Sequence, residues 1–149
     1  MKKKRVIFVP ADNNHLEEVR RFETSLRKFH SKENLPLLRF DTNGDPQFFY
    51  RAKPIIARDL IREYEVVIGA DSDQIITGDL SHLWNEIDSH FDVATVLNDP
   101  TYLINTWDIQ PYFNNGLVVL RSEEFINHWY RLCFSPHFER YQFREQDIL

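Results

Sequence analysis

The 149-residue chain has few of the sequence features that mark disulfide-linked proteins or membrane-spanning proteins. Its single cysteine, Cys133, excludes an intrachain disulfide and a cysteine-rich zinc site. No apolar run approaches the roughly 20 residues that a transmembrane helix needs. The apolar run at residues 6–9 follows a cluster of lysines but stops at Pro10, which is too short for a signal peptide. We therefore expect a cytoplasmic protein with no transmembrane segment.

Positive charge is also in short supply. The chain carries 18 Lys and Arg against 23 Asp and Glu, a formal net charge of −5, which argues against a partner of the nucleic-acid class. The basic start at residues 2–5 is short and is interpreted as a solvated strand edge. The hydrophobic fraction of 42% and the twelve Phe exclude a disordered chain. The length suits one domain over residues 1–149.

Two spacings of hydrophobic residues alternate along the chain, one typical of strands and the other of helices. Continuous apolar runs or short β-like segments predict strands at residues 6–9, 35–40, 66–68, 91–97 and 117–120. Apolar residues at helical spacing predict helices over residues 16–29, from Pro54, over 80–87, and after a capping Ser122. Asn13 and Asn14 are expected to cap the first helix. Strands that alternate with helices predict an α/β fold with a mostly parallel central sheet flanked by helices.

The most informative pair of residues follows the strand at 66–68. Asp71 and Asp73 are two positions apart, so an extended backbone would point both carboxylates the same way. Two carboxylates that close repel each other unless a cation lies between them. Mg²⁺ and Mn²⁺ prefer oxygen ligands and often share them with substrate phosphates. The pair therefore predicts a metal site that stabilises a diphosphate leaving group.

An Asp-x-Asp triplet alone is a weak signal, because it is also common in turns. Haloacid-dehalogenase-like phosphatases carry one as well, but after the first strand and before a Gly-Thr turn. Here the triplet lies mid-chain and is followed by Gln74, Ile75 and Ile76. A metal-dependent phosphohydrolase therefore stays as an alternative of another reaction class.

Four segments, in order, resemble those of family-eight-like glycosyltransferases, a group that includes glycogenin and bacterial lipopolysaccharide galactosyltransferases. The stretch at residues 66–84, VVIGADSDQIITGDLSHLW, is similar to the metal-binding segment of that family. Residues 9–13 (VPADN) resemble the nucleotide-contacting end of its first strand. Residues 112–120 (YFNNGLVVL) resemble its Phe-Asn-x-Gly strand, and residues 145–149 (EQDIL) its Asp-Gln-Asp segment. The resemblance spans nearly the whole chain.

The resemblance implies a Rossmann-like A-type glycosyltransferase fold and a metal-dependent hexosyltransferase, most often with a UDP-sugar donor and retention of anomeric configuration. It implies Mn²⁺ or Mg²⁺ on Asp71 and Asp73, and it places Gln146 near the anomeric carbon as the candidate catalytic residue. The acceptor hydroxyl would belong to a saccharide, a lipid-linked glycan or a protein. The residues expected to contact the donor are Asp12, Asn13, Lys53, Ser72, Asn114, Asn115 and Asp147.

Several of these positions also have simpler interpretations. Asp12 and Asn13 could cap a helix, Lys53 could be a solvated lysine in the first turn of a helix, and Asn114 could belong to a tight turn. Asp147 could begin a helix instead of binding the donor.

The chain departs from the family pattern at its end. The family supplies a histidine metal ligand well downstream of the glutamine, whereas this sequence ends three residues after Gln146. Glu145 also replaces the usual aspartate. We therefore expect a truncated version of the fold. A non-catalytic nucleotide-sugar-binding module, or an inactive fragment of that fold, is the alternative to an active transferase.

Overall fold

The computed structural model describes residues 2–85, 90–97, 113–136 and 138. The strands in these ranges are β1 (Lys3–Pro10), β2 (Leu37–Phe40), β3 (Tyr64–Ala70), β4 (Val93–Leu97) and β5 (Phe113–Leu120). The helices are α1 (Leu16–Leu26), α2 (Pro46–Phe49), α3 (Ala52–Leu60), α4 (His82–Asn85) and α5 (Glu123–Cys133). Among these described helices, none combines the length and hydrophobicity that crossing a bilayer requires.

In the described part of the chain, the strands form one five-stranded sheet in the order β2-β1-β3-β5-β4. β1 pairs in parallel with both β2 and β3, while β5 runs antiparallel to β3 and β4. Four strands therefore point one way and β5 points the other. The predicted mostly parallel sheet flanked by helices is confirmed.

Successive side chains of a strand point to opposite faces of the sheet, so alternate residues of β1 enter two separate cores. Val6 and Phe8 pack with α3 and α5 on one face of the sheet. Ile7 and Val9 pack with the apolar side of α1 on the other. Because both faces are covered, the central strands consist of almost continuous apolar residues.

The first helix begins differently from the prediction. A 3₁₀ turn at Asn13–His15 precedes α1, and its cap is Asp12, whose Oδ1 accepts a hydrogen bond from the Asn14 backbone N–H at 2.9 Å. The expected caps, Asn13 and Asn14, thus lie inside the turn. α1 also ends at Leu26, and Phe29, expected on its apolar side, is exposed.

Two further boundaries differ from the prediction. The short helix α2 is not among the predicted helices, and Asp45 caps it by accepting a hydrogen bond from the Gln47 backbone N–H. α3 begins at Ala52, two residues before Pro54. The Ser122 cap of α5 is confirmed, since its Oγ accepts a hydrogen bond from the Phe125 N–H at 3.1 Å.

Close packing across the sheet explains the glycine near the end of β3. A Cβ on Gly69 would lie 3.0 Å from Phe8 Cζ and 3.2 Å from Val118 Cγ1. We predict that Gly69→Ala lowers the free energy of unfolding by about 1–3 kcal/mol, the usual cost of overpacking. Urea denaturation would measure it.

Gly78→Ala is the matched control, because a Cβ there meets nothing within 4 Å. Its effect should stay within about 0.5 kcal/mol. Equal effects of the two substitutions would contradict the packing argument.

Candidate functional site

The sheet topology brings polar side chains from distant parts of the chain to one edge. β1, β2 and β3 are adjacent and parallel, so the residues that follow them meet where the strands end. These residues are Asp12, Thr42 and Asp71. β5 runs the other way and starts at the same edge, where Gly116 O accepts the Asp71 backbone N–H at 2.9 Å.

The first carboxylate of the acidic pair forms an ion pair with a buried lysine. Lys53 Nζ lies 2.6 Å from Asp71 Oδ1, and the Lys53 side chain is only 5% exposed against 43% for Asp71. The interpretation of Lys53 as a solvated lysine is therefore wrong. Burying an ammonium is costly unless a negative partner accompanies it. Lys53 thus ties α3 to the residue that follows β3.

The other two residues of the triplet differ from Asp71. Ser72 Oγ donates a hydrogen bond of 2.7 Å to Oε2 of Glu18 in the first turn of α1. Asp73 is exposed, and within the described residues its carboxylate has no hydrogen bond or ion pair. The triplet is therefore held on one side by α3 and on the other by α1, while Asp73 faces solvent.

Asp12 is held by its own turn. Its Oδ1 accepts a 2.6 Å hydrogen bond from Nδ1 of His15 in addition to the Asn14 backbone bond. The bond from His15 is the main reason that the pKa of Asp12 lies below its ordinary value of 3.8, and desolvation by its surroundings opposes it. Asp12 is therefore a carboxylate at neutral pH, so it can only accept hydrogen bonds.

Asn13 belongs to a second cluster beside Asp12. Its Oδ1 accepts a 3.1 Å hydrogen bond from the guanidinium of Arg39 on β2. The same guanidinium donates to the Ala11 carbonyl at 3.1 Å and to Asp41 Oδ2 at 2.7 Å. Arg39 therefore joins the ends of β1 and β2 and fixes the Asn13 side chain.

A pocket of about 260 Å³ opens next to Asp12. Thr42 lines it and is only 2% exposed, whereas Phe49 and Tyr50 contribute exposed aromatic rings. Gly44 completes the turn, at a φ of +67° that side-chain-bearing residues rarely adopt. The full lining is Asp12, His15, Thr42, Gly44, Asp45, Pro46, Phe49 and Tyr50.

The donor set suits a cation that takes few protein ligands. Among the described residues, no group of three or more His, Cys, Asp and Glu could hold a metal ion. Asp71 and Asp73 therefore offer two carboxylates. Mg²⁺ is commonly bound through one or two carboxylates plus substrate phosphates and retained waters, so the pair fits Mg²⁺ or a similar hard cation. A structural zinc ion would need four protein ligands.

The remaining sequence-predicted residues fall in less informative positions. Asn114 and Asn115 lie on β5 near the site edge. Gln146 and Asp147, the predicted catalytic and donor-binding residues near the end, lie outside the described residues.

The structure also adds His15, Glu18 and Thr42 to the neighbourhood of the site. Only the topology reveals the last two, because Glu18 is one of several acidic residues on α1 and Thr42 belongs to a turn.

No protein-family model and no curated protein matches the chain. Solved structures do match its fold. A glycosyltransferase involved in the glycosylation of the major capsid of PBCV-1 has a TM-score of 0.69 at 10% identity, over 97% of this chain and 73% of that one. The glycosyltransferase GlyE of Streptococcus pneumoniae TIGR4 has a TM-score of 0.67 at 21% identity, over 99% of this chain and 42% of that one.

The galactosyltransferase LgtC, solved with donor and acceptor sugar analogs, has a TM-score of 0.64 at 16% identity, over 96% of this chain and 68% of that one. The chain has the A-type glycosyltransferase fold. At these identities the likeness concerns the fold alone, and the chain spans less than half of GlyE.

The two aspartates of the triplet should differ in their effect on stability. Asp71→Asn removes the negative charge beside the Lys53 ammonium, so we predict a loss of about 1–2 kcal/mol, between the values for exposed and buried pairs. Asp73→Asn, the matched control, should change stability by less than about 0.5 kcal/mol because Asp73 is exposed. Chemical denaturation without added metal would measure both, and equal losses would contradict the assignment.

Proposed function

We propose that the chain is a metal-dependent glycosyltransferase domain that moves a hexose from a nucleotide-diphosphate sugar, such as a UDP-sugar, to an acceptor hydroxyl with retention of configuration. The observation that carries this proposal is that Asp12 and the Asp71–Asp73 pair follow adjacent parallel strands at the carboxyl edge of the sheet, where a pocket with two aromatic rings opens beside Asp12. Acidic residues that follow a buried strand at such an edge are suited to a cation and its phosphate ligand.

Each part of the edge has a role in this proposal. Asp71 and Asp73 hold Mn²⁺ or Mg²⁺, which when bound neutralises the diphosphate and stabilises it as the leaving group. Asp12 accepts hydrogen bonds from the nucleoside. The Phe49 and Tyr50 rings offer an apolar surface for a planar base.

Lys53 contributes a fixed positive charge. Because its ammonium already contacts Asp71, it lies where it can also offset charge on a nearby phosphate. Ser72 adds a hydroxyl whose orientation Glu18 sets. On the sequence resemblance alone, we also assign Gln146, Asn114 and Asn115 to the proposed donor site.

A second candidate function is a nucleotide-sugar-binding module without transfer activity. One observation favours it: within the described residues no third His, Cys, Asp or Glu joins Asp71 and Asp73 in a group that could hold a cation, and Asp71 is already paired with Lys53. Binding and turnover must therefore be tested separately.

Binding is tested by thermal unfolding with UDP-sugars, with and without Mn²⁺. We predict that a UDP-sugar raises the melting temperature by several degrees only when Mn²⁺ is present, because a ligand of the native state stabilises it by mass action. Asp73→Asn should abolish the shift while leaving the ligand-free melting temperature unchanged. Asp59→Asn, an exposed carboxylate on α3, is the control and should keep the shift. A full shift in Asp73→Asn would exclude the proposed metal site.

Turnover is tested by following UDP release from the same donors. An active transferase should release UDP slowly without an acceptor and faster with a suitable sugar acceptor, and Asp73→Asn should lower the rate by about 100-fold or more, as expected when a metal ligand is lost. Binding that needs Mn²⁺ but gives no UDP with any acceptor would favour the binding module. Release of inorganic phosphate from simple phosphate esters would instead identify a phosphohydrolase.

A further inference from the structure

The segment that follows β3 has little regular structure of its own, although it carries the acidic pair. Residues 74–77 belong to neither helix nor strand. Among the described residues, the stretch 71–77 has one backbone hydrogen bond within itself. In this bond the Gln74 N–H donates to the Asp71 carbonyl over a long 3.4 Å. The position of this segment must therefore depend on contacts with other elements.

Those contacts come from three side chains on or just after α1. Glu18 accepts the Ser72 hydroxyl at 2.7 Å. Ser25 Oγ accepts the Ile76 backbone N–H at 3.0 Å and itself donates to the Phe22 carbonyl at 2.8 Å. The third contact lies at His30.

His30 Nε2 accepts the Leu80 backbone N–H at 2.9 Å. The three bonds fall at residues 72, 76 and 80, a regular spacing of four. Ser25 and His30 are 5% and 6% exposed, and Ile76 is buried in the same core as α1. The segment is thus held along its whole length by α1 and by the residues that directly follow this helix.

We propose that Glu18, Ser25 and His30 are positioning residues, which hold segment 72–80 against α1 and thereby set the affinity of the Asp71–Asp73 pair for its cation. The inference rests on the proposed function. None of the three contacts the reacting groups. They act through the Ser72 hydroxyl before Asp73 and through the backbone after it, and the Asp73 carboxylate has no other support in the described part of the chain.

The bond at His30 depends on pH. Because Nε2 accepts from Leu80, the ring proton lies on Nδ1, and a second proton on Nε2 would remove the acceptor. Burial lowers the pKa of His30 below its ordinary value of 6.5; the Asp79 carboxylate opposes this, while the Arg27 and Arg5 cations add to it. The neutral ring is therefore the native form near neutral pH.

Because folding lowers the pKa of His30, the stability that His30 contributes decreases as the pH falls. A histidine whose pKa is lowered by folding contributes stability that is fully present above about pH 6.5 and is lost as the pH falls toward its folded pKa. Asp79 Oδ1 lies 3.6 Å from Nε2, so it is the group that can accept a hydrogen bond from the protonated Nε2 in place of the Leu80 contact. Acid should therefore loosen the segment at Leu80.

The first test compares wild type with His30→Gln, whose side-chain oxygen can accept the Leu80 N–H at any pH. The protection factor of the Leu80 amide against hydrogen exchange is measured without metal from about pH 8 to about pH 5.5, the range in which histidines titrate. It should fall in wild type and stay constant in His30→Gln. His128→Gln, an exposed histidine on α5, should behave as wild type.

The second test measures Mn²⁺ affinity in the presence of UDP. Acid should weaken binding about tenfold more in wild type than in His30→Gln, since groups that orient ligands typically change metal affinity by about 10–100-fold. Effects of acid on UDP and the aspartates are common to both proteins and cancel. At neutral pH, Glu18→Ala should also weaken binding about tenfold, and Glu18→Gln should restore it because its amide oxygen still accepts the Ser72 hydroxyl.

The outcomes separate this inference from the proposed function. If wild type binds no Mn²⁺ at any pH, both are overturned, and the exchange data show only whether His30 holds Leu80. If wild type binds Mn²⁺ but its affinity and Leu80 protection change with pH as in His30→Gln, or if Glu18→Ala binds as wild type does, the positioning role is overturned and the proposed function stands.

Discussion

The parallel pairing of β1 with β3 is the constraint on which the candidate site depends. It aligns Ile7 with Ile68 and Phe8 with Gly69, so the two strands end at one edge although they are about sixty residues apart in the chain. Asp12 and Asp71 follow these strands at the same edge for this reason. The pairing in turn requires space, because Phe8 lies against Gly69 where any side chain would collide with its ring. Packing at the sheet centre and chemistry at its edge are thus linked through one strand pair.

The helices on the two faces of the sheet hold the triplet at residues 71–73 through different interactions. From the α3 side, Lys53 holds Asp71 through a charge that is buried and must be balanced. From the α1 side, Glu18 accepts the Ser72 hydroxyl, and Ser25 and His30 accept the backbone N–H groups of residues 76 and 80. Asp73 lies between these anchors and is itself exposed. A carboxylate whose backbone is fixed but whose oxygen atoms face solvent is suited to bind a ligand that arrives from solvent.

Much of the fold could be predicted from hydrophobic patterning. The central parts of the strands, the Ser122 cap and the burial of Cys133 follow from apolar runs and from one strong capping signal. The direction of β5 could not be predicted, because a buried apolar run looks the same in a parallel and an antiparallel strand. The sequence offered Asp12, Asn13 and Asn14 as possible caps, and the 3₁₀ turn, which the pattern did not predict, decides for Asp12.

The site was predictable to a similar extent. Asp71 was placed at a sheet edge because a strand pattern runs directly into it, and the structure agrees. The burial of Lys53 was not predictable, since a lysine in the first turn of a helix is usually solvated, and only the position of α3 against β3 brings it to Asp71. Glu18, Ser25 and His30 carry no motif at all. Their role arises from tertiary contacts between residues about fifty positions apart.

The charges at the edge indicate how a cation and a nucleotide would bind. Counting only Asp71, Asp73 and Lys53, the site carries one net negative charge, because the ammonium offsets one carboxylate. A divalent cation alone would make these groups net positive, and it would lie near the Lys53 ammonium at a cost in Coulomb energy. A diphosphate brings enough negative charge to compensate for both cations. Metal and nucleotide should therefore bind cooperatively, each raising the affinity for the other by the same factor. In the proposed function, Lys53 would therefore disfavour a bare metal ion and favour one that arrives with phosphate.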